Sequence, residues 1–168
     1  DIGPGLAKAA VGIVVNGEDK DLSYTIDQDI DFKVLTVKDD AGLDIARHTL
    51  AAQVLARAVK DLYPDAMLAI GPTIDNGFYY DVDFVEPIVP EALAAIDKRM
   101  REILKENLEV TREMWPRQAA IQYFLDKREL YKADIIDRAP ADQTEISLYR
   151  QGNNGEDIFM DLCRGPHT

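Results

Sequence analysis

The sequence contains few of the side chains that most often bind metals or act as nucleophiles. Its 168 residues include one cysteine and two histidines. A single cysteine excludes an internal disulfide and agrees with a reducing compartment, so we expect a cytoplasmic protein. No apolar run approaches the roughly 20 residues that span a bilayer, and no signal peptide opens the chain, so we expect no membrane partner.

Basic residues are scarce as well. The chain carries 19 lysines and arginines against 31 aspartates and glutamates, a formal net charge of −12. This balance argues against a non-specific nucleic-acid binder, because phosphate contacts need clustered lysine and arginine. Hydrophobic residues at 46% and charged residues at 30% are typical of a globular protein with one large or two small domains. The chain opens without methionine and stops just after His167, so we expect a part of a larger protein.

The order of apolar and polar residues predicts an α+β protein. Residues 11–15 form an apolar strand, Asn16 and Gly17 are typical of a hairpin turn, and residues 31–38 alternate like a strand. These strands predict a small sheet domain that ends near residue 39. Residues 42–63 are apolar at helical spacing on nearly every face, which predicts a buried central helix that ends before Pro64.

Further strands and helices are predicted after the central helix. The strands are 67–70, 77–84, 108–114, 143–149 and 157–162, and the helices are 90–107 and 116–127, with a short element over 131–136. Side chains alternate along 77–84, so Tyr80 shares the core-facing side with apolar residues and Tyr79 points away from it. We expect the central helix to pack on a mainly antiparallel sheet.

The C-terminal stretch holds the densest group of reactive side chains. Cys163 and His167 are four residues apart, and the Gly-Pro pair between them breaks any helix or strand, so His167 is expected to fold back beside Cys163. The other histidine, His48, lies on the central helix, and the fold could bring the three together. A thiol and two imidazoles suit metal ligation or acid–base chemistry. Taken singly, His48 is more typical of a satisfied core histidine and Cys163 of a buried hydrophobic residue.

Three strings of residues occur in an order and spacing typical of one enzyme family. They are Ala-Ile-Gly-Pro-Thr-Ile-Asp-Asn-Gly-Phe-Tyr-Tyr-Asp at 69–81, Leu-Tyr-Lys at 130–132 and Asp-Leu-Cys-Arg-Gly-Pro-His at 161–167. Over essentially its whole length the chain resembles the N-terminal region of the bacterial threonyl-tRNA synthetases. The resemblance implies that residues 1–39 are the C-terminal part of a β-grasp domain. It implies that residues 42–168 are most of an editing domain, which in the family hydrolyses serine wrongly attached to threonine tRNA.

The resemblance also implies the site residues. His48 falls at the first histidine of the family's His-x-x-x-His motif, and Lys132 falls at the lysine of the editing pocket. The last string supplies an Asp-x-Cys-x-x-x-His turn, and Tyr79 matches a pocket aromatic. The catalytic residues implied in this way are His48, Lys132, Cys163 and His167, and the substrate-binding residues are Asp161 and Tyr79.

One position departs from the family motif. The second histidine of His-x-x-x-His should fall at Ala52, whose methyl group neither ligates a metal nor transfers a proton. In the related alanyl-tRNA synthetase editing domains the four-residue set binds zinc, so the departure disfavours a metal, and no cofactor is expected. Zinc would still have three possible ligands in His48, Cys163 and His167.

The function implied by the resemblance is hydrolytic editing within a ligase that attaches threonine to tRNA with ATP. Its partners would be the tRNA 3′ acceptor end and the remainder of the synthetase, in a parent enzyme that is a homodimer. Lys132 and His48 would activate water and protonate the leaving ribose oxygen, and Asp161 would hold the substrate's ammonium group. Cys163 and His167 would shape the pocket and donate hydrogen bonds. Two alternatives stay open: a noncatalytic appendage for tRNA docking or packing, with a degenerate site, and a structural zinc module.

Overall fold

The computed structural model of the protein describes residues 3–152 and 158–168. The N-terminal part consists of a short helix, α1 (Pro4–Ala9), followed by an antiparallel sheet of three strands. The strands are β1 (Ala10–Val15), β2 (Glu18–Lys20) and β3 (Phe32–Thr36), with β1 between the other two. The predicted hairpin turn is confirmed. Asn16 and Gly17 have φ angles of 52° and 83°, the left-handed conformation that this two-residue turn requires.

The predicted central helix is confirmed and consists of three consecutive segments. They are α2 (Asp40–Thr49), a π-helical segment (Leu50–Leu55) and α3 (Ala56–Leu62). The N-terminal sheet packs directly against α2, because glycines stand where the two parts meet. A Cβ atom at Gly42 would clash with the Thr36 carbonyl oxygen, and one at Gly12 would lie 2.7 Å from the Ile45 side chain.

The strand predicted over 77–84 is wrong, because two short strands replace it. The elements of this region are β4 (Met67–Leu68), β5 (Thr73–Ile74), β6 (Gly77–Phe78) and β7 (Val82–Asp83). β4 pairs with β7 and β5 pairs with β6, both antiparallel. The ring of Tyr80, a residue between β6 and β7, lies over Gly71, where any Cβ atom would clash with the ring.

A second antiparallel sheet and three helices complete the described fold. They are α4 (Pro90–Glu106), β8 (Val110–Pro116), α5 (Arg117–Asp126), α6 (Leu130–Asp137), β9 (Glu145–Gln151) and β10 (Phe159–Leu162). β9 lies between β8 and β10, and α5 and α6 cover this sheet with Phe124 and Ile136. The helix α4 packs instead on α3 through Ile96 and Ile103.

The α+β class and the mainly antiparallel pairing are confirmed. The predicted start of the last strand at Asp157 lies outside the described residues. Within residues 3–152 and 158–168, no helix combines the length and apolar character needed to cross a bilayer.

Candidate active site

Side chains from five parts of the chain converge on one small cavity. The cavity has a volume of about 210 Å³, and its walls come from the central helix, the segment after β4, the link between β6 and β7, α6 and the end of β10. The polar and central-helix side chains in these walls are His48, Ala52, Tyr80, Lys132, Asp161 and Cys163. Four of the six site residues implied by the resemblance therefore meet here.

A buried ion pair forms one wall of the cavity. Lys132 Nζ lies 2.8 Å from Asp161 Oδ1, and the two side chains are 4% and 2% exposed. Lys132 also donates to the Tyr80 hydroxyl at 2.8 Å, and that hydroxyl donates to Asp161 Oδ2 at 3.0 Å. Burial, reinforced by the Asp161 charge, raises the pKa of Tyr80, so the phenol stays protonated. The three side chains hold a cation beside the cavity together with its fixed countercharge.

His48 and Cys163 are in direct hydrogen-bond contact. His48 Nε2 lies 2.8 Å from Cys163 Sγ, and the Gly165 N–H donates to the same sulfur at 3.2 Å. Burial raises the pKa of the Cys163 thiol to about 11. Burial lowers the pKa of His48, although the charges of Asp44 and Asp161 oppose this effect. The contact is therefore a hydrogen bond between two neutral groups at pH 7 and not an ion pair.

His167 packs behind His48 and does not line the cavity. The two rings stack with their centroids 4.6 Å apart and their planes at 9°, and His167 is 4% exposed. Its Nδ1 lies 3.1 Å from Thr49 Oγ1, whereas Nε2 is buried with no hydrogen-bond partner among the described residues. Burial, reinforced by His48, lowers the pKa of His167 to about 3, so this imidazole is neutral as well. The predicted return of His167 to the side of Cys163 is confirmed, because a ring nitrogen of each histidine and Cys163 Sγ lie within 4.8 Å of one another.

Tyr79 is the second implied site residue, after His167, that does not line the cavity. Its side chain is 48% exposed, and the neighbouring Tyr80 takes the place in the wall. A signal for Tyr80 was present in the sequence, because a tyrosine on a core-facing side needs a partner for its hydroxyl. Thr49 carries no comparable local signal, since a threonine within a helix gives no sign of a partner more than a hundred residues away.

The three possible metal ligands, His48, Cys163 and His167, place one ligand atom each within 4.8 Å of the others. Zinc holds sulfur at roughly 2.3 Å and imidazole nitrogen at roughly 2.0 Å, so ligands at tetrahedral angles lie about 3.5 Å apart. His48 Nε2 and Cys163 Sγ are 2.8 Å apart, so zinc would require these two side chains to separate by about 0.7 Å. Ala52 contributes no fourth ligand at the position that the motif would give to histidine.

Curated relatives match the chain from end to end. It is 52% identical over 168 residues to the threonine–tRNA ligase of Janthinobacterium sp. (strain Marseille), a match that covers 100% of this chain and 25% of that ligase. The chain is therefore similar over its whole length to one part of the threonine–tRNA ligases. The threonine–tRNA ligase of Paramagnetospirillum magneticum is also 52% identical over 168 residues, and that of Ralstonia nicotianae is 51% identical over 167 residues. The resemblance to threonyl-tRNA synthetases is thus confirmed, and the chain spans about a quarter of the length of these ligases. No protein-family model matches it.

Proposed function

We propose that this chain is the editing module of a threonine–tRNA ligase and hydrolyses serine wrongly esterified to threonine tRNA. The observation that carries the proposal is the convergence of His48, Lys132, Asp161 and Cys163 on one cavity, in a chain homologous to these ligases along its whole length. In this proposal residues 1–39 are the β-grasp part and residues 42–168 the editing domain. The parent enzyme attaches threonine to tRNA with ATP in segments beyond this chain.

A threonine ligase needs such a module because threonine and serine differ by one methyl group. A binding pocket converts that difference into only about 1 to 3 kcal/mol, or roughly 10- to 200-fold discrimination. A second, hydrolytic site multiplies the selectivity when it admits serine and crowds out the extra methyl group of threonine. A cavity of about 210 Å³ with walls fixed by buried side chains suits this task.

The two proposed catalytic groups, His48 and Lys132, differ in charge, and this difference supports a role as base for His48 and as cation for Lys132. Hydrolysis requires a base for the attacking water, a cation for the developing oxyanion and a proton for the leaving ribose hydroxyl. The neutral imidazole of His48 is able to accept a proton. The Lys132 ammonium, held beside the cavity by Asp161, is able to stabilise the oxyanion and donate a hydrogen bond to the leaving oxygen.

Asp161 retains the capacity to bind the substrate's ammonium group. Its Oδ1 accepts hydrogen bonds from Lys132 and from the Leu162 N–H, whereas Oδ2 accepts, among the described residues, only the Tyr80 hydroxyl. Each carboxylate oxygen offers about two acceptor sites, so one site on Oδ2 remains for a ligand. Asp161 would then lie between the fixed Lys132 cation and the cation of the seryl group.

A groove next to the cavity is the proposed place for the terminal nucleotides of the tRNA. It has a volume of about 410 Å³ and shares Ile70, Lys132 and Cys163 with the cavity. Arg138 and Arg164 lie along it, and Arg164 makes no ion pair within the described residues. Apolar walls can contact a base, and a guanidinium can pair with a phosphate.

Tyr79 keeps a proposed role outside the cavity. Its backbone N–H donates to the carbonyl oxygen of Pro72, a residue of the cavity wall, while its ring is 48% exposed. An exposed aromatic ring at the rim of the site suits stacking on the terminal base and not contact with the amino acid.

The decisive experiment measures how fast the purified chain hydrolyses the ester bond of two substrates. They are threonine-specific tRNA charged with serine (Ser-tRNA) and the same tRNA charged with threonine (Thr-tRNA). We expect faster hydrolysis of Ser-tRNA, and a loss of about 100-fold or more in His48→Ala and in Lys132→Ala, the lower range for an acid–base group. Lys98→Ala on the exposed side of α4 is the matched control and should keep the wild-type rate. Unchanged rates in both site variants would remove these roles. A wild-type chain that binds tRNA without hydrolysing the ester would instead favour a noncatalytic docking appendage.

A further inference from the structure

Asp21 is a residue of the N-terminal part that reaches the candidate active site. It follows β2 directly, and its carboxylate contacts residues that come 128 and 146 positions later. Asp21 Oδ1 accepts a hydrogen bond from the His167 backbone N–H at 2.8 Å. Asp21 Oδ2 accepts one from the Tyr149 hydroxyl at 2.8 Å. Hydrogen bonds to an ionised carboxylate are roughly twice as strong as those between neutral groups, so Asp21 fixes both partners.

Tyr149 extends this restraint to the rest of the C-terminal loop. Its side chain is 1% exposed, and burial together with the Asp21 hydrogen bond raises its pKa, so the hydroxyl remains a donor. The Tyr149 ring meets the His167 ring edge-on at 4.4 Å between centroids. Its hydroxyl occupies the space over Gly165, where a Cβ atom would clash with it. Asp21 therefore restrains the loop at His167 directly and at Gly165 through Tyr149.

The position of this loop sets the geometry of the thiol and imidazole pair. The loop carries Cys163, whose sulfur contacts His48 and accepts the Gly165 N–H, and it carries His167, whose ring stacks on His48. We propose that Asp21 is a positioning residue, through which the N-terminal sheet holds the loop in register with His48. The catalytic consequence rests on the proposed editing function, whereas the positioning itself does not.

The N-terminal sheet has contacts with α2 that do not involve Asp21. Gly42 packs against the Thr36 carbonyl and Gly12 against Ile45, both in the seam between the sheet and the helix. Removing the Asp21 carboxylate should therefore leave the sheet in place and release only the loop. Release of the loop can therefore be measured in the whole chain without loss of the sheet.

The test compares Asp21→Ala and Asp21→Asn with Asp19→Asn, a matched control at an exposed position of β2. Hydrogen exchange followed by NMR should show the His167 amide exchanging at least tenfold faster in Asp21→Ala, with the Leu148 amide in β9 unchanged. The ring ¹⁵N shifts of His167 should move toward a mixture of tautomers. Asp21→Asn should fall between the wild type and Asp21→Ala, because an amide oxygen can replace one of the two accepted bonds.

Two results of the exchange experiment would overturn the proposal. One is a His167 amide and ring that stay at wild-type values in Asp21→Ala, and the other is equal acceleration of exchange at His167 and Leu148, which indicates general destabilisation. Ser-tRNA hydrolysis should lose about tenfold in kcat with less than twofold change in KM, and an unchanged kcat with a released loop would also contradict it. A wild-type chain without hydrolytic activity would refute the editing proposal alone, since the exchange data still decide the role of Asp21.

Discussion

Thr49 Oγ1 lies 3.1 Å from His167 Nδ1, and from the other hydrogen bonds of this hydroxyl we infer which nitrogen of His167 carries the hydrogen. The Thr49 hydroxyl donates its only hydrogen to the Ile45 carbonyl oxygen at 3.0 Å and accepts the Thr168 N–H at 3.1 Å. A hydroxyl has one donor and two acceptor sites, so toward His167 it can only accept. His167 is therefore the Nδ1–H tautomer, and its lone pair lies on the buried Nε2.

Thr49→Val, which removes this hydroxyl, should lower the free energy of unfolding. The valine keeps the shape of the side chain but leaves the buried Nδ1–H without an acceptor, which costs about 1 to 3 kcal/mol in the free energy of unfolding. Thr49→Ser keeps the hydroxyl and should recover most of this loss. Denaturant unfolding measures both variants, and ¹⁵N NMR of the ring reports the tautomer. A valine variant as stable as the wild type would contradict the assignment.

Acidification should destabilise the protein through its two histidines before its carboxylates respond. The pKa of His167 is about 3 in the folded chain and near 6.5 when unfolded, so between these values the unfolded state binds the extra proton. Stability is complete above pH 6.5 and falls as the pH drops, by about 1.4 kcal/mol per pH unit for each such group. The pKa of His48 is lowered too and adds to the slope.

The measurement that checks this pH dependence is the free energy of unfolding between pH 6.5 and 5. This window lies above the ordinary pKa range of aspartate and glutamate side chains, so the histidines dominate it. His167→Gln should retain only the smaller slope due to His48. Equal slopes in the wild type and in His167→Gln would show that His167 is not buried in its neutral form.

Arg164→Ala should weaken the binding of substrates that carry a phosphate. We expect KM for Ser-tRNA to rise about tenfold, the order of one or two charge-assisted hydrogen bonds. Seryl-adenosine without a phosphate should be hydrolysed as by the wild type. Arg101→Ala on α4 is the control, since Arg101 is exposed and lines neither the cavity nor the groove. Equal effects on both substrates would remove the phosphate contact.

Hydrolysis should not depend on zinc. Protein purified without chelator should contain well below one zinc per chain, and dialysis against a chelator should leave the rate for Ser-tRNA unchanged. The reason is the direct contact of His48 and Cys163 and the missing fourth ligand at Ala52. One zinc per chain that is lost together with activity, and restored on adding zinc, would overturn this expectation.

The isolated chain should bind tRNA weakly at physiological salt. Its net charge of −12 repels phosphate, and of the three cations that line the groove, Lys132 and Arg138 are paired with Asp161 and Asp134. Filter binding or fluorescence anisotropy with threonine tRNA at several salt concentrations measures the affinity. Tight binding at physiological salt would contradict the idea that the rest of the synthetase supplies the main grip on tRNA.

Local features of the fold could be predicted well from the sequence. The Asn16-Gly17 turn and the central helix depend on backbone preferences and on apolar spacing among near neighbours, and both are confirmed. The interruption of the strand over 77–84 could not be predicted, because the alternating pattern continues unbroken through these residues.

Patterns among near neighbours in the sequence predicted most elements of this protein, and its motifs supplied five side chains of the proposed site: His48, Lys132, Asp161, Cys163 and His167. Only the tertiary structure decided that Tyr80 and not Tyr79 enters the cavity wall, that His167 stands behind His48, and that Asp21 reaches the loop from the N-terminal sheet. The difference lies in how far apart along the chain the contacting residues are. A turn or a helix is stabilised by residues a few positions apart, whereas each of these contacts joins groups far apart in the chain and exists only once the core has packed.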